Sequence, residues 1–354
     1  MNPRLRREKL EVAWRLMKDT VRDAGLLIIV TCVGSSGMAQ TSKTLGQPVR
    51  SAQFAAEIAG REPRCENGFC LVHDLSAPTI TIYRSNGTVL RTNDLGVPGS
   101  VDIHPMDMSI SRSGLLAASA GALNADGSRA SLIMLFTQPG PPSVVIRTDP
   151  FVPIRIVLSQ DGHVWALGWN PGAEANVPWP GTLPTRGPQK DYGVFQEYTL
   201  DGQLAGEFVM RSTLPRQPLP HAIAEGSLCA LRASATSIGA YVPASREWIE
   251  IQNNGNGVSR LSVQPPSSTS AKAARLGHLA ITDSGSIYAN WSVNPTTLYV
   301  LNRGTATWQP ISGTSPMVTP EFTLRDFIGC DGNLLLFKGG PVPDSKSVVW
   351  FNEP

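Results

Sequence analysis

The sequence predicts an all-β protein built from repeated units, and three observations support this prediction. Only 16% of the 354 residues are charged, and Gly and Pro together fill 62 positions. Such a composition is typical of short strands joined by turns and unusual for helical bundles. Along the chain, six polar–Gly pairs open short apolar runs, and their glycines lie 46, 48, 64, 59 and 47 residues apart. A period near 50 residues is typical of an array of supersecondary units.

Each polar–Gly pair lies at the turn of a predicted hairpin. The pairs are Asn67-Gly68, Ser113-Gly114, Asp161-Gly162, Glu225-Gly226, Ser284-Gly285 and Asp331-Gly332. In the third unit a second hairpin surrounds Asp201-Gly202, and the first and fifth units have similar second hairpins at Asn86-Gly87 and Arg303-Gly304. Apolar alternation on both sides of such turns predicts four antiparallel strands per unit. The second and fourth units fit this pattern more loosely.

The last unit contains three predicted strands instead of four. After Asp331-Gly332 the chain continues with the strand-like runs LLLF and SVVWF. The missing outer strand is predicted to come from residues 47–58, near the other end of the chain. Such an overlap would close a ring of units and cover an exposed strand edge, which would otherwise invite aggregation.

The repeats resemble the six-bladed β-propellers of the broad NHL-like, TolB-like and regucalcin/gluconolactonase-like group. The resemblance is based on Asp-Gly hairpins such as SQDGHVWAL and EYTLDGQLAGEF, and it extends over residues 47–354. It implies six blades of four antiparallel strands around a central channel, with the ring closed by an N-terminal strand. These hairpins are specific for blade architecture and not for any one family, so the resemblance assigns no function.

The N-terminal region has the features of a secretory signal peptide. Residues 24–34 form an apolar stretch that is too short to cross a hydrocarbon core of ~30 Å as a helix. Lys18 and Arg22 precede this stretch, and the small-residue pattern Gly37-Met38-Ala39 follows it. We therefore predict a signal peptide in residues 1–39, with Met17 as an alternative start. A single propeller domain in residues 40–354 would be exported to the periplasm or the extracellular space, with no stable membrane span.

Cys65 and Cys70 flank a predicted two-residue turn. With Asn67-Gly68 as that turn, Cys65 faces Cys70 at a closely spaced pair of strand positions. This separation suits a disulfide, which an oxidising compartment would allow to form. Two free thiols are the alternative. Metal binding would need more ligands than this pair supplies.

The charge distribution predicts no nucleic-acid partner. The chain holds 30 basic and 28 acidic residues, of which seven and four lie in residues 1–39. The remainder carries 23 basic and 24 acidic residues, with no basic stripe to bind phosphates.

A candidate binding site follows from the turn spacing. The innermost strand of each blade lines the channel of a propeller, and the start of that strand lies near one rim. Counting seven residues back from each turn glycine gives Arg61, Asp107, Arg155, Leu219, His278 and Arg325, and a shorter fourth blade would move His221 into its place. Such an Arg-rich ring would bind a carboxylate, phosphate or uronate-like group through guanidinium forks. Alternatively, Asp107 and Arg155 form an ion pair that fills the channel entrance.

No catalytic signature of the HExxH, GxSxG or phosphate-loop type is present, and the five histidines lie in different repeats. The sequence therefore predicts no metal site and does not specify a cofactor. It favours a module that binds a small-molecule or protein ligand at the channel mouth and at a long loop in residues 170–191. In that loop Trp179 is either an exposed stacking platform or packs against the rim. A metal-dependent lactonase, lyase or dehydrogenase and a structural envelope scaffold are the alternative functions.

Overall fold

A computed structural model describes residues 43–54, 63–74, 77–179, 188–216, 231–243, 245–266, 276–291, 294–311, 326–339 and 347–354. These residues belong to one compact unit, Lys43–Pro354. Within these ranges the chain forms 24 strands, one short helix and one 3-10 turn. No helix in these ranges has the length and apolar character needed to cross a membrane.

The strands form successive four-stranded units, which we number as blades in chain order. Blade one holds β2 (Arg64–Glu66), β3 (Phe69–Asp74), β4 (Thr79–Arg84) and β5 (Val89–Asp94). Blade two holds β6 (Ser100–Ile110), β7 (Leu116–Asn124), β8 (Arg129–Phe136) and β9 (Val144–Arg147). Blade three holds β10 (Val152–Leu158), β11 (Val164–Trp169), β12 (Gly193–Tyr198) and β13 (Leu204–Met210).

Blade four holds β14 (Leu231–Ala233), β15 (Ser237–Val242), β16 (Glu247–Gln252) and β17 (Val258–Ser262). Blade five holds β18 (Leu276–Ile281), β19 (Ile287–Trp291), β20 (Asn294–Asn302) and β21 (Thr307–Pro310). Blade six combines β22 (Asp326–Asp331), β23 (Leu334–Gly339) and β24 (Ser347–Asn352) with β1 (Pro48–Gln53). The helix α1 (Pro171–Glu174) and the 3-10 turn (Arg211–Thr213) both flank blade three.

The predicted overlap of the two chain ends is confirmed. Strand β1 pairs antiparallel with β24, so that Pro48 lies opposite Phe351 and Gln53 opposite Ser347. This pairing covers the outer edge of β24, which would otherwise be an open template for another strand. The innermost strands β2 and β22 also meet, with Cys65 opposite Gly329 in parallel.

Apolar cores between blades connect the units into a ring. Six clusters of buried side chains each combine residues of two successive blades, including blade six with blade one. Between blades four and five, for example, the rings of Tyr241, Trp291 and Trp308 lie 5.5–6.3 Å apart at steep angles. Such edge-to-face packing is favourable for aromatic side chains. The chain therefore folds as a β-propeller, and its strand order is consistent with the predicted six blades.

Five of the six predicted polar–Gly turns lie where the innermost hairpin of a blade reverses. In blade one, Asn67 and Gly68 both have positive φ angles, 55° and 84°, as a two-residue hairpin turn requires. The fourth turn was predicted wrongly. Glu225-Gly226 lies outside the described residues, and the inner hairpin of blade four reverses between Ser234 and Ser237. There the Ser237 amide donates to the Ser234 hydroxyl at 3.0 Å, so a hydroxyl supports the turn without a glycine.

The predicted disulfide between Cys65 and Cys70 is confirmed. The two residues lie opposite each other on β2 and β3, with their Cα atoms 4.1 Å apart. Both side chains are buried between blades six and one. The bond therefore connects the two innermost strands of blade one next to the channel.

Candidate functional site

One cavity of about 340 Å³ lies where the innermost strands of the blades converge. Every blade contributes to its lining, through Arg64 of β2, Asp107 of β6, Arg155 of β10, Arg232 of β14, His278 of β18 and Ile328 of β22. Because six separate segments surround the same space, this cavity is the central channel of the propeller.

The structure brings together three of the six residues predicted from turn spacing, namely Asp107, Arg155 and His278. The other three, Arg61, His221 and Arg325, lie outside the described residues. Sequence reasoning missed Arg64 and Arg232. Strands β2 and β14 have only three residues each, so the channel residue lies much closer to the turn than the count of seven assumed.

Bulges in the inner strands determine which side chains face the channel. Four of these strands change register at a similar place, between Pro105 and Asp107, Pro153 and Arg155, Leu276 and Leu279, and Phe327 and Gly329. A bulge interrupts the alternation of a strand and re-aims its side chains. Consecutive residues of β6, from Pro105 to Met108, therefore all line the cavity.

Arg64 connects three blades at the channel wall. Its Nε donates to Glu66 Oε2 at 2.9 Å, and its Nη1 donates to Asp107 Oδ2 at 3.0 Å. The same Nη1 donates to the backbone oxygen of Ile156 in blade three at 2.9 Å. Arg64 is only 6% exposed. The ion pair of Asp107 is therefore made with Arg64 of blade one, not with Arg155 as the alternative interpretation of the sequence proposed.

The two carboxylates of this network also bind the open edges of neighbouring inner strands. Glu66 Oε1 accepts from Ser109 Oγ at 2.6 Å and from the Ile110 amide at 2.7 Å, and Asp107 Oδ2 accepts from the Ile156 amide at 2.9 Å. Such amides have no partner strand, so side chains satisfy them instead. Burial alone would lower the pKa of Arg64, but the charges of Glu66 and Asp107 outweigh burial and raise it.

Arg232 lines the same cavity, but its charge is much less well compensated by opposite charges than that of Arg64. Its Nη1 donates to the backbone oxygen of Leu231 at 2.9 Å, and among the described residues no carboxylate forms an ion pair with it. Desolvation, followed by the positive charge of Arg64, lowers the pKa of Arg232 to about 10. The Nη2 of Arg64 is also buried, with no acceptor in the part of the chain that the structure describes. The channel thus holds two neighbouring cations with unused donor capacity.

Arg155 and the backbone at His278 are held by local hydrogen bonds. Arg155 Nη1 donates to the backbone oxygen of Ile154 at 3.1 Å, which bends the side chain along its own strand. The amide of His278 donates to Asn290 Oδ1 at 2.5 Å. A Cβ at Gly277 would lie only 2.3 Å from that oxygen, so the close approach of Asn290 requires glycine there.

An ion pair bridges the channel at the end where the inner hairpins turn. Arg112, in the inner turn of blade two, contacts Asp283, in the inner turn of blade five. In a ring of six, blades two and five face each other across the axis. The amide of Asp283 also donates to the backbone oxygen of Gly332 at 3.2 Å. We therefore expect a ligand to enter from the opposite end, where Pro63 and His73 line the cavity.

The long loop of blade three is anchored by Arg211, whose side chain is fully buried. Its guanidinium donates to Glu174 Oε1 of α1 at 2.7 Å and stacks 4.3 Å from the ring centre of Trp179. Trp179 packs against the core between blades three and four. Of the two alternatives for this tryptophan, the structure therefore favours packing over an exposed platform.

Within the described ranges, no group of three or more His, Cys, Asp or Glu side chains is placed to hold a metal ion. Three of the six polar side chains that line the channel cavity are guanidinium groups, which donate hydrogen bonds and accept none. Such a lining suits an anionic ligand.

Comparison with protein families finds no matching family model, and comparison with curated proteins finds no match. Solved structures with a similar fold include a streptogramin B lyase, with a TM-score of 0.39 and 13% identity over 86% of this chain and 98% of the lyase. A gluconolactonase from Xanthomonas campestris has a TM-score of 0.43 and 13% identity over 88% of this chain and 97% of its own. The Swd1 β-propeller domain of Myceliophteria thermophila has a TM-score of 0.43 and 12% identity over 88% and 100%. Likenesses at this level carry no argument about function.

Proposed function

We propose that the protein is an exported binding module that holds the anionic group of a small molecule in its central channel. A carboxylate, a phosphate or a uronate-like group would be bound by Arg232 and Arg155, beside Arg64. The single observation that carries this proposal is the pair Arg64 and Arg232, two neighbouring desolvated guanidinium groups. Among the described residues, Arg64 Nη2 has no acceptor and Arg232 donates only to the backbone oxygen of Leu231.

A bound anion would offset the free-energy cost of keeping Arg232 charged in the channel. Arg232 is charged at neutral pH in a site where burial and Arg64 both oppose its charge. A bound anion would pair with both cations through charge-assisted hydrogen bonds, which are about twice as strong as neutral ones. Because Arg64 is held by Glu66 and Asp107, binding would need little reorganisation of that side chain.

We expect Arg232→Met to weaken anion binding at least about tenfold, because one charge-assisted fork is lost. Isothermal titration calorimetry with hexanoate, galacturonate and inorganic phosphate measures this. The variant should be as stable as the parent or more stable, by about 1 kcal/mol. A cation whose pKa is lower in the folded than in the unfolded state costs stability at neutral pH, and the open cavity screens part of that cost.

Arg84→Met is the matched control, because Arg84 lies exposed on β4 and, within the described residues, its guanidinium donates only to the backbone oxygen of Val89 in the same blade. This variant should bind the probes as the parent does. The proposal is wrong if the parent protein binds none of the three probes, or if Arg232→Met binds them with unchanged affinity.

Export is the second part of the proposal, and the signal-like residues 1–39 and the disulfide support it. We expect protein recovered from the periplasm or the medium to begin after Ala39, with residues 40–354 as one domain and Cys65 linked to Cys70. Mass spectrometry of non-reduced peptides measures both features at once. An intact N-terminus on cytoplasmic protein with two free thiols would contradict this part.

A further inference from the structure

A second cavity of about 540 Å³ lies between blades one and two, next to the channel. His73 and Pro105 line both cavities, so the two spaces meet at these residues. The second cavity, which we call the outer cavity, lies at the end of the channel away from the Arg112–Asp283 ion pair. A ligand bound in the channel would therefore extend past His73 into the outer cavity.

The long inner strand of blade two forms one wall of the outer cavity. Strand β6 has 11 residues, compared with three to seven in the other inner strands described. Two bulges, at residues 100–102 and 105–107, border the segment that lines this cavity. The extra length of β6 thus extends the wall beyond the channel.

The outer cavity carries charge opposite to that of the channel. Asp74 of β3 and Asp102 of β6 both line it, and Asp102 Oδ2 contacts His104 Nε2 at 2.8 Å. The channel cavity presents Arg64, Arg155 and Arg232 instead. A ligand that occupies both spaces would thus meet cations at one end and carboxylates at the other.

On the premise of the anion site proposed above, we propose that the ligand is an elongated small molecule with one acidic end and an ammonium or other donor group at the far end. The acid lies in the channel, and the far end lies in the outer cavity near Asp74 and Asp102. A second anionic group at the far end would face these carboxylates, and such like-charge placement excludes wrong ligands. The site therefore selects amphoteric molecules and rejects polyanions, including polyuronates.

Three six-carbon probes test this selection, because they carry different groups at the far end: 6-aminohexanoate, hexanoate and adipate. Calorimetric titration at pH 8, where ordinary imidazoles are neutral, should give the affinity order 6-aminohexanoate, hexanoate, adipate. Each step should be about threefold, because the side chain of Asp102 is 51% exposed and its charge is screened. The same three kinds of probe, made one and two carbons longer, test whether the distance between the two ends limits the difference in affinity among them.

Asp102→Asn should reduce the ratio between 6-aminohexanoate and adipate toward one, and Asp201→Asn, in the turn between β12 and β13, should leave that ratio unchanged. The inference is overturned if all three probes bind the parent equally at every length, or if Asp102→Asn preserves the ratio; in both cases the anion site itself stands. If none of the probes binds, the proposed function fails together with this inference.

Discussion

Arg64→Met should lower the free energy of unfolding by about 3–5 kcal/mol, because it leaves two largely buried carboxylates without their cation. In the native protein Glu66 and Asp107 share this guanidinium at 2.9 and 3.0 Å, and both also hold amides of neighbouring blades. Removing the charge therefore weakens the contacts between blades one, two and three at once. Urea unfolding followed by tryptophan fluorescence measures the loss.

Arg260→Met is the matched control for this prediction. Arg260 also forms an ion pair, with Glu247 at 2.6 Å, but its side chain is 30% exposed on the outer strand of blade four. We expect a loss under about 1 kcal/mol, because water screens this pair and solvates the carboxylate that remains. Equal losses for the two variants would show that the ion pairs of Arg64 contribute no more to the free energy of unfolding than an exposed ion pair does.

Arg64 and Arg232 line the same cavity, but replacement by Met should lower stability for Arg64 and leave it unchanged or slightly raised for Arg232. Two carboxylates stabilise the charge of Arg64, and its pKa is raised. Arg232 lacks such a partner among the described residues, and its pKa is lowered. A cation retained where it costs stability is typical of a functional site. The contrast thus separates the arginine that holds the blades together from the one assigned to the ligand.

The architecture could be predicted from the sequence because its signals are local. Turn chemistry at Asn67-Gly68, Asp161-Gly162 and Ser284-Gly285 marks the inner hairpins, and two-residue alternation marks the strands beside them. The disulfide followed from the same local geometry. Blade four was the exception, because the inner turn at Ser234 uses hydroxyl groups and lacks the glycine on which the prediction depended.

The channel lining could be predicted only in part, because it depends on contacts between blades. Counting back from the turn glycine found Asp107, Arg155 and His278, which lie at the same distance before the turn in their blades. It missed Arg232 because β14 is short and because the count for blade four started from Gly226, whereas the inner turn of that blade lies at Ser234–Ser237 and contains no glycine. Strand alternation could not have given the lining either, since bulges place consecutive residues at the cavity. The partner of Asp107 came from blade one, at a sequence distance that no local pattern encodes.

Phe54→Ala should lower the free energy of unfolding by about 3–5 kcal/mol, because Phe54 anchors the strand that closes the ring. Five of the six residues of β1 are exposed, so the strand itself buries little apolar surface. Phe54 follows β1 directly, is 2% exposed and packs against Tyr83 with ring centres 5.5 Å apart. It lies in the apolar core between blades six and one.

Val49→Ala on β1 is the matched control, since Val49 is 50% exposed and its truncation should change stability by less than about 0.5 kcal/mol. Loss of the anchor also loosens β1 from β24 and leaves the hydrogen-bonding edge of β24 open to other chains. We therefore expect Phe54→Ala, and not Val49→Ala, to aggregate at temperatures where the parent stays monodisperse by light scattering. If both variants behave alike, the closing strand is held by its backbone ladder and by the stacking of Arg50 on Trp350, at 4.2 Å, without need of the apolar anchor.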